Sequence, residues 1–176
     1  FLSINSLGTI PYFVDNQTHM TESSAIGLYL VERYQRYDFG LEASHPEYGD
    51  YLNWQFHSDA TLTFPQTIAL RYGVFEKPER RSKQIADDYR KWFIARLNRL
   101  SNHLIDREFL CANKFTVADI AVAYALYLGE LLGFDNEYKP QVIAYLQRMK
   151  ARPLFQKVVV IGEENSNFKG FKRSEP

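Results

Sequence analysis

The first part of the chain alternates short apolar runs with turn-forming residues. Residues 10–14 form an apolar run that contains Pro11, which suits the start or edge of a strand because proline cannot donate to a ladder. Asp15-Asn16 follows and favours a hairpin, since both residues tolerate left-handed backbone geometry. Residues 17–20 then predict a returning strand, and residues 23–34 predict a helix. The pattern therefore predicts a β-β-α unit.

From residue 44 onward the apolar spacing predicts helices only. The first should begin at a capping box, with Ser44 as N-cap and Glu47 at the third position. Pro65 should break or kink it, because proline removes a backbone donor. Further helices are predicted from Pro78 to about Leu104, from Ala121 to Leu132 behind a Thr116–Asp119 capping box, from Pro140 to about Ala151, and briefly from Pro153. The helix at 121–132 is apolar nearly all round, so we expect it to be the most buried.

These patterns divide the chain into residues 1–36, a linker at 37–43 and an all-helical part at 44–176. Two strands and one helix cannot bury a sheet on their own. We therefore interpret the N-terminal unit as half of a larger α/β domain. The polar residues from Gly162 onward predict a fraying tail.

Charge and cysteine content narrow the range of partners. The 176 residues carry 21 basic and 21 acidic side chains, so the formal net charge is zero. Nucleic acid and anionic membrane surfaces are not expected as main partners, because both demand an excess of basic residues. Cys111 is alone, which excludes an internal disulfide and fits a reducing, cytoplasmic location. The four histidines are scattered, so no metal site is predicted.

A cluster of small polar residues and one acid begins the first predicted helix. Thr21, Glu22 and Ser23 stand where unpaired backbone N–H groups and the helix dipole favour an anion. These residues therefore form a candidate ligand site. The alternative is that Thr21 and Ser23 only cap the helix.

Three segments together resemble the cytosolic glutathione transferases. They read Asn5-x-x-Gly8-x-Ile10-Pro11-x-Phe13, Thr21-Glu22-Ser23-x-Ala25-Ile26-x-x-Tyr29-Leu30 and Phe115-Thr116-x-Ala118-Asp119-Ile120. The resemblance implies an α/β thioredoxin-like N-terminal domain, of which only the ββα half is present here, and an all-α C-terminal domain. It also implies a homodimeric detoxification enzyme that conjugates glutathione, its co-substrate, to a small hydrophobic electrophile.

The resemblance also assigns binding roles. Pro11 corresponds to the family's cis-proline, and the backbone of Ile10 would pair with the cysteine part of glutathione like an added strand. Ser23 and the helix N–H groups would bind the γ-glutamyl carboxylate, and Glu22 its ammonium group. Thr116 and Asp119 are expected to serve folding rather than binding.

Trp54, Ser58 and Thr61 are the candidates for the second-substrate groove. Their i, i+4, i+7 spacing places them on one face of the first long helix. In the resembled family this helix faces that groove. Core packing or a dimer contact is the alternative for each residue.

The sequence offers no candidate for activating the thiol. The resembled family carries its catalytic Tyr, Ser or Cys in a β-α-β unit ahead of the cis-proline, and we expect that unit to lie outside these 176 residues. The catalytic residue is therefore unknown. Two alternatives to a transferase stay open: a non-catalytic binding or interaction module of the same fold, and a glutathione-dependent reductase, isomerase or dehalogenase.

Overall fold

The N-terminal unit is a β-hairpin followed by a helix. This computed structural model describes residues 1–165. Strands β1 (Phe13–Asp15) and β2 (Thr18–Met20) pair antiparallel, with Val14 opposite His19. Asn16 takes φ 54° in the turn, which confirms the predicted hairpin. β1 begins at Phe13 rather than at residue 10, since Pro11 has no N–H for a ladder.

Seven α-helices occur in the described residues. They are α1 (Ser23–Arg33), α2 (Tyr48–His57), α3 (Phe64–Leu70), α4 (Lys83–His103), α5 (Val117–Leu131), α6 (Pro140–Lys150) and α7 (Pro153–Asn165). Shorter turns are π-helical at Ser58–Thr63 and Arg71–Phe75 and 3-10 at Pro78–Arg80 and Asp135–Glu137. Within this part of the chain, none of the helices combines the length and apolar character needed to span a bilayer.

Helix α5 runs through the core of the helical part. Ala118, Val122, Ala125 and Leu126 are fully buried, against side chains from α2, α4 and α6. The opposite stripe of α5 is open, however: Ile120, Tyr124 and Leu131 are all exposed. Seven residues of α5 are buried, more than in any other helix between residues 23 and 150, so the expectation that it is the most buried helix is met through its core face.

The predicted capping box at Ser44–Glu47 is wrong. Helix α2 begins at Tyr48, and Glu47 is its N-cap residue without a side-chain cap bond. The Glu47 carboxylate instead accepts hydrogen bonds from Arg107 at 2.8 Å and from the Ala112 N–H at 3.2 Å. A carboxylate engaged by a distant segment is not available to cap its own helix.

The second predicted capping box is confirmed. Thr116 and Asp119 form it at the start of α5. Asp119 Oδ2 accepts the Thr116 N–H at 2.8 Å, and Oδ1 accepts from Leu110 N–H at 3.0 Å and Tyr145 Oη at 2.9 Å. Asp119 therefore ties the start of α5 to the preceding turn and to α6.

The chain does not break at Pro65. It stays helical through this region, and the change falls just ahead of the proline, where α2 gives way to a π-helical turn at Ser58–Thr63 before α3. A π-helical turn over Arg71–Phe75 follows α3. The helix expected from Pro78 begins at Lys83, where the Ser82 hydroxyl accepts the Ile85 N–H at 3.3 Å.

The expected fraying tail begins inside a helix. Helix α7 continues past Gly162 to Asn165, so the start of the tail was placed too early. The remainder, residues 166–176, lies outside the described residues.

The N-terminal unit is attached to the helical part by hydrogen bonds as well as by the linker. Gln55, which is buried, donates to Ser24 O at 2.8 Å. The Val117 N–H donates to Phe39 O at 2.9 Å. A Cβ at Gly40 would lie 2.9 Å from the Tyr51 hydroxyl, so the linker packs closely against α2. The fold is thus a partial thioredoxin-like unit joined to an all-α part, while the boundaries 1–36, 37–43 and 44–176 stay a prediction.

Candidate functional site

The segment before β1 presents open backbone. The Ile10–Pro11 peptide is cis, as the resemblance implied, and Ile10 is 83% exposed. Within residues 1–165, neither the N–H nor the C=O of Ile10 has a hydrogen-bond partner. Asn5 holds the preceding turn by donating to Thr9 O at 2.7 Å. The Ile10 backbone is therefore available to an extended ligand.

The start of α1 presents open polar groups. Glu22 is the N-cap residue and Ser23 the first helical residue, and both side chains are exposed. No side chain caps the helix, and the Thr21 hydroxyl donates to Glu22 Oε1 at 3.2 Å instead. The interpretation of Thr21 and Ser23 as mere caps therefore loses its support. The first N–H groups of α1 stay open to an acceptor.

Gln55 anchors this helix start, and the sequence analysis missed it. Its bond to Ser24 O reaches the residue directly after Ser23, across 31 positions of sequence. In the sequence, the signal that would have identified it is a polar residue on an apolar stripe, four positions after Tyr51 and seven before Leu62. The structure shows this glutamine to be 1% exposed. The ligand-facing residues thus sit on backbone that is tied to the helical part.

Trp54 and Ser58 do not line a groove in this structure. Both are 1% exposed. Trp54 packs against the rings of His57 and His103, at centroid distances of 5.2 and 4.8 Å. The Ser58 hydroxyl donates to Ala121 O at 2.8 Å. This face of α2 meets α5 rather than solvent, so the groove prediction is wrong for these two residues; Thr61, which is half-buried, stays a prediction.

Removal from water shifts the pKa of two further titratable side chains, Cys111 and His57. Desolvation raises the pKa of the Cys111 thiol to about 12, so it stays protonated near neutral pH. Desolvation and the charges of Arg99 and Arg96 lower the pKa of His57 to about 4. His57 is therefore neutral near pH 7. No group of His, Cys, Asp and Glu within the described part of the chain is arranged to bind a metal ion.

The N-terminal unit also presents an apolar surface next to Ile10. Its members are at least half exposed: Phe1, Leu2, Ile4, Leu7 and Val14. Several exposed apolar side chains in so short a unit suit a surface on which another element packs. A separate surface cavity of about 470 Å³ lies between Glu47 and Arg107 in the helical part.

Comparison with known families identifies the helical part. The family described as the glutathione S-transferase C-terminal domain matches residues 65–153. Human glutathione S-transferase theta-2 is 32% identical over 164 residues, which covers 86% of this chain and 64% of the relative. Glutathione S-transferase D7 of Drosophila melanogaster is 27% identical over 147 residues, covering 84% of this chain and 64% of the relative. The chain thus spans about 64% of the length of these relatives.

Solved structures show the same fold. The glutathione transferase Ure2p6 of Phanerochaete chrysosporium, in complex with oxidized glutathione, matches with a TM-score of 0.82 and 26% identity over 94% of this chain and 78% of that one. Ure2p5 of the same fungus, crystallised with 1-(S-glutathionyl)-2,4-dinitrobenzene, matches with a TM-score of 0.80 and 25% identity over 93% of this chain and 79% of that one.

Proposed function

The chain belongs to the cytosolic glutathione transferase superfamily, and from this premise we propose that it binds glutathione and conjugates its thiolate to a small hydrophobic electrophile. Glutathione is then a co-substrate, not a resident cofactor. The structure of Ure2p5 contains a conjugate of glutathione with an aromatic electrophile. The same class of second substrate is proposed here.

The proposed binding mode uses two separate parts of the N-terminal unit. The backbone of Ile10, beside Pro11, pairs with the cysteine part of the tripeptide as an added strand would. Ser23 and the first N–H groups of α1 receive the γ-glutamyl carboxylate, because a helix N-terminus favours negative charge. Glu22 receives the ammonium group of the same γ-glutamyl residue.

The observation that carries the proposal is the open helix start at Glu22 and Ser23. Both side chains are exposed and neither caps α1. The buried Gln55 fixes the next residue, Ser24, so the helix start is ordered while its polar groups are free of a capping role. A preordered polar site of this kind supports a ligand-binding role.

The chemistry requires a group that stabilises the glutathione thiolate. A thiolate is the nucleophile, and a hydrogen-bond donor near the sulfur lowers the thiol pKa. Cys111 is buried in the helical part and His57 is half-buried there, so we assign the role to neither of them. The catalytic residue is proposed to belong to a further unit that packs on the apolar surface beside Ile10.

A matched pair of serine variants tests the binding site. Ser23→Ala should weaken glutathione binding about tenfold or more, since it removes a hydrogen bond to a charged group. Ser82→Ala removes the N-cap bond of α4, so it should cost about 1 kcal/mol of stability and leave affinity unchanged. Titration calorimetry and thermal unfolding of the whole protein measure both quantities. Equal glutathione affinity for Ser23→Ala and the parent protein would reject the assigned site.

Turnover tests the transferase reaction separately. We expect the whole protein to conjugate glutathione to a chloronitrobenzene-type electrophile. The change in absorbance as the conjugate forms measures the rate. Glutathione binding without turnover of any electrophile in a panel would contradict the enzymatic part of the proposal. It would leave the alternative of a binding module with this fold.

We also propose a cytoplasmic homodimer. The single cysteine is free and buried, which suits a reducing compartment. Phe64, Tyr89 and Trp92 form an aromatic patch with ring centroids 5.3–6.4 Å apart, and Phe64 and Trp92 are 48% and 40% exposed. A patch of this kind is typical of interface centres.

The charges on α4 support a second copy as the occupant of the aromatic patch. Asp88, Trp92, Arg96 and Arg99 follow one another at i, i+4, i+8 and i+11, which places them on one face. Along the helix axis, Asp88 therefore lies before Trp92, and Arg96 and Arg99 lie after it. A two-fold axis through Trp92 would set Asp88 of each subunit against the bases of its partner, as an isologous interface requires.

A further inference from the structure

Asp15, at the end of β1, is engaged by three neighbouring side chains. Its Oδ2 accepts hydrogen bonds from the Tyr29 and Tyr34 hydroxyls, each at 3.0 Å. Its Oδ1 accepts from Asn16 Nδ2 at 2.9 Å. The two tyrosines lie on α1 and at its C-terminal end, so this carboxylate joins the hairpin turn to the helix.

A ring contact also joins the hairpin to α1. The rings of Phe13 and Tyr29 meet edge to face at a centroid distance of 6.1 Å. The covalent connection between β2 and α1 is two residues, Thr21 and Glu22. Hydrogen bonding to Asp15 raises the pKa of Tyr34, so its hydroxyl keeps the donated proton at neutral pH. The Tyr34 hydroxyl therefore remains a donor to Asp15 at neutral pH.

The two parts of the proposed glutathione site lie on the two elements that Asp15 joins. Ile10 and Pro11 lead into the hairpin, whereas Glu22 and Ser23 begin α1. A ligand that contacts both parts gains affinity only when their separation matches its own length. Asp15 touches neither part, so any effect on binding acts through the placement of the hairpin.

We propose that Asp15 is a positioning residue that sets the hairpin against α1 and so holds the two parts of the glutathione site at the spacing of one tripeptide. This rests on the proposed function. Loss of Asp15 should then lower the affinity for a ligand that spans both parts. It should leave unchanged the affinity for a ligand that uses the hairpin part alone.

Glutathione and cysteinylglycine, which lacks the γ-glutamyl residue, separate these outcomes. In the whole protein, Asp15→Ala should lower the affinity for glutathione about tenfold. The affinity for cysteinylglycine, measured by NMR titration, should stay unchanged. The double variant Tyr29→Phe with Tyr34→Phe should reproduce the loss, and adding Asp15→Ala to it should cause no further loss.

Asp38→Ala is the matched control. Asp38 is an exposed carboxylate beyond the end of α1, and it is paired with Arg36 at 2.7 Å. The Asp38→Ala variant should leave the affinities for glutathione and cysteinylglycine unchanged, because Asp38 pairs with Arg36 and not with the hairpin.

Each outcome is decisive. Unchanged glutathione affinity in Asp15→Ala overturns the positioning role and leaves the proposed function standing. Equal losses for glutathione and cysteinylglycine also overturn it, because they indicate general collapse of the unit. A parent protein that does not bind glutathione rejects the proposed function itself, and the positioning role with it.

Discussion

At the scale of single residues, Glu47 shows how one carboxylate joins distant parts of the chain. It accepts from Arg107 and from the Ala112 N–H, which belongs to the turn that follows α4. Arg107 and the Ala112 N–H hold the pKa of Glu47 below its usual range, against the opposing effect of partial burial. The folded state therefore stabilises the ionised form of the Glu47 carboxylate.

This shift predicts an acid-sensitive contribution to stability. A carboxylate with a lowered folded-state pKa stabilises the fold above its unfolded pKa and loses that effect as the pH falls through the folded value. Glu47→Gln should cost about 1 kcal/mol at pH 7, a modest figure because the pair is partly solvated. The difference from the parent protein should be smaller at pH 3 than at pH 7, because the carboxylate loses its charge as the pH falls through the lowered pKa. Urea unfolding at both pH values measures it.

Glu42→Gln is the control for this experiment, because Glu42 is exposed. It should change stability little at either pH. An equal loss for Glu47→Gln at pH 7 and pH 3 would show that shape, not charge, sets the contribution of Glu47.

At the scale of elements, the packing of α5 depends on a glycine near its C-terminal end. A Cβ at Gly129 would lie 3.0 Å from Phe93 Cε1 and would also overlap the Tyr138 hydroxyl. That hydroxyl is buried and donates to Leu126 O at 2.9 Å. The close approach of α4 and of Tyr138 to α5 therefore requires a residue without a side chain.

Two glycine variants separate packing from helix propensity. By propensity alone, alanine in place of glycine stabilises a helix by about 1 kcal/mol. Gly129→Ala should nevertheless destabilise the protein by about 2 kcal/mol through overpacking. Gly49 in α2 has no neighbouring atom within 4 Å of a Cβ, so Gly49→Ala should stabilise by roughly 0.5–1 kcal/mol. Thermal unfolding that gave both variants the same sign would refute this account.

At the scale of the whole molecule, the proposed homodimer depends on the aromatic patch and on the charges beside it. Trp92→Glu should convert the dimer to a monomer in sedimentation velocity, because it buries a charge at the centre of the interface. Ile105→Glu changes a residue that is 68% exposed outside the patch, and it should leave the dimer intact.

Charge exchange gives the second test of the same interface. Asp88→Arg should weaken the dimer, since it sets like charges against each other across the two-fold axis. Adding Arg96→Asp and Arg99→Asp should restore it, because opposite charges face each other again. A Trp92→Glu protein that stays dimeric, or a triple variant without recovery, would place the interface elsewhere.

Local chemistry made several features readable from the sequence alone. The Asp15-Asn16 turn and the Thr116–Asp119 capping box each depend on residues within a few positions of one another. The family resemblance supplied the partial thioredoxin-like unit, the helical part and the cis peptide at Pro11. Each of these is determined by short-range backbone geometry or by spaced motifs, which a linear sequence displays directly.

Only the tertiary structure decided which side chains are free. Glu47 looked like a helix cap, yet it binds Arg107, 60 positions away. Trp54 and Ser58 looked like groove residues, yet that face of α2 packs against α5 and α4. Gln55 donates to Ser24, 31 positions away. Asp15 accepts from Tyr29, 14 positions away. The physical reason is that helical spacing shows which residues share a face, whereas the burial of that face depends on elements brought together from elsewhere in the chain.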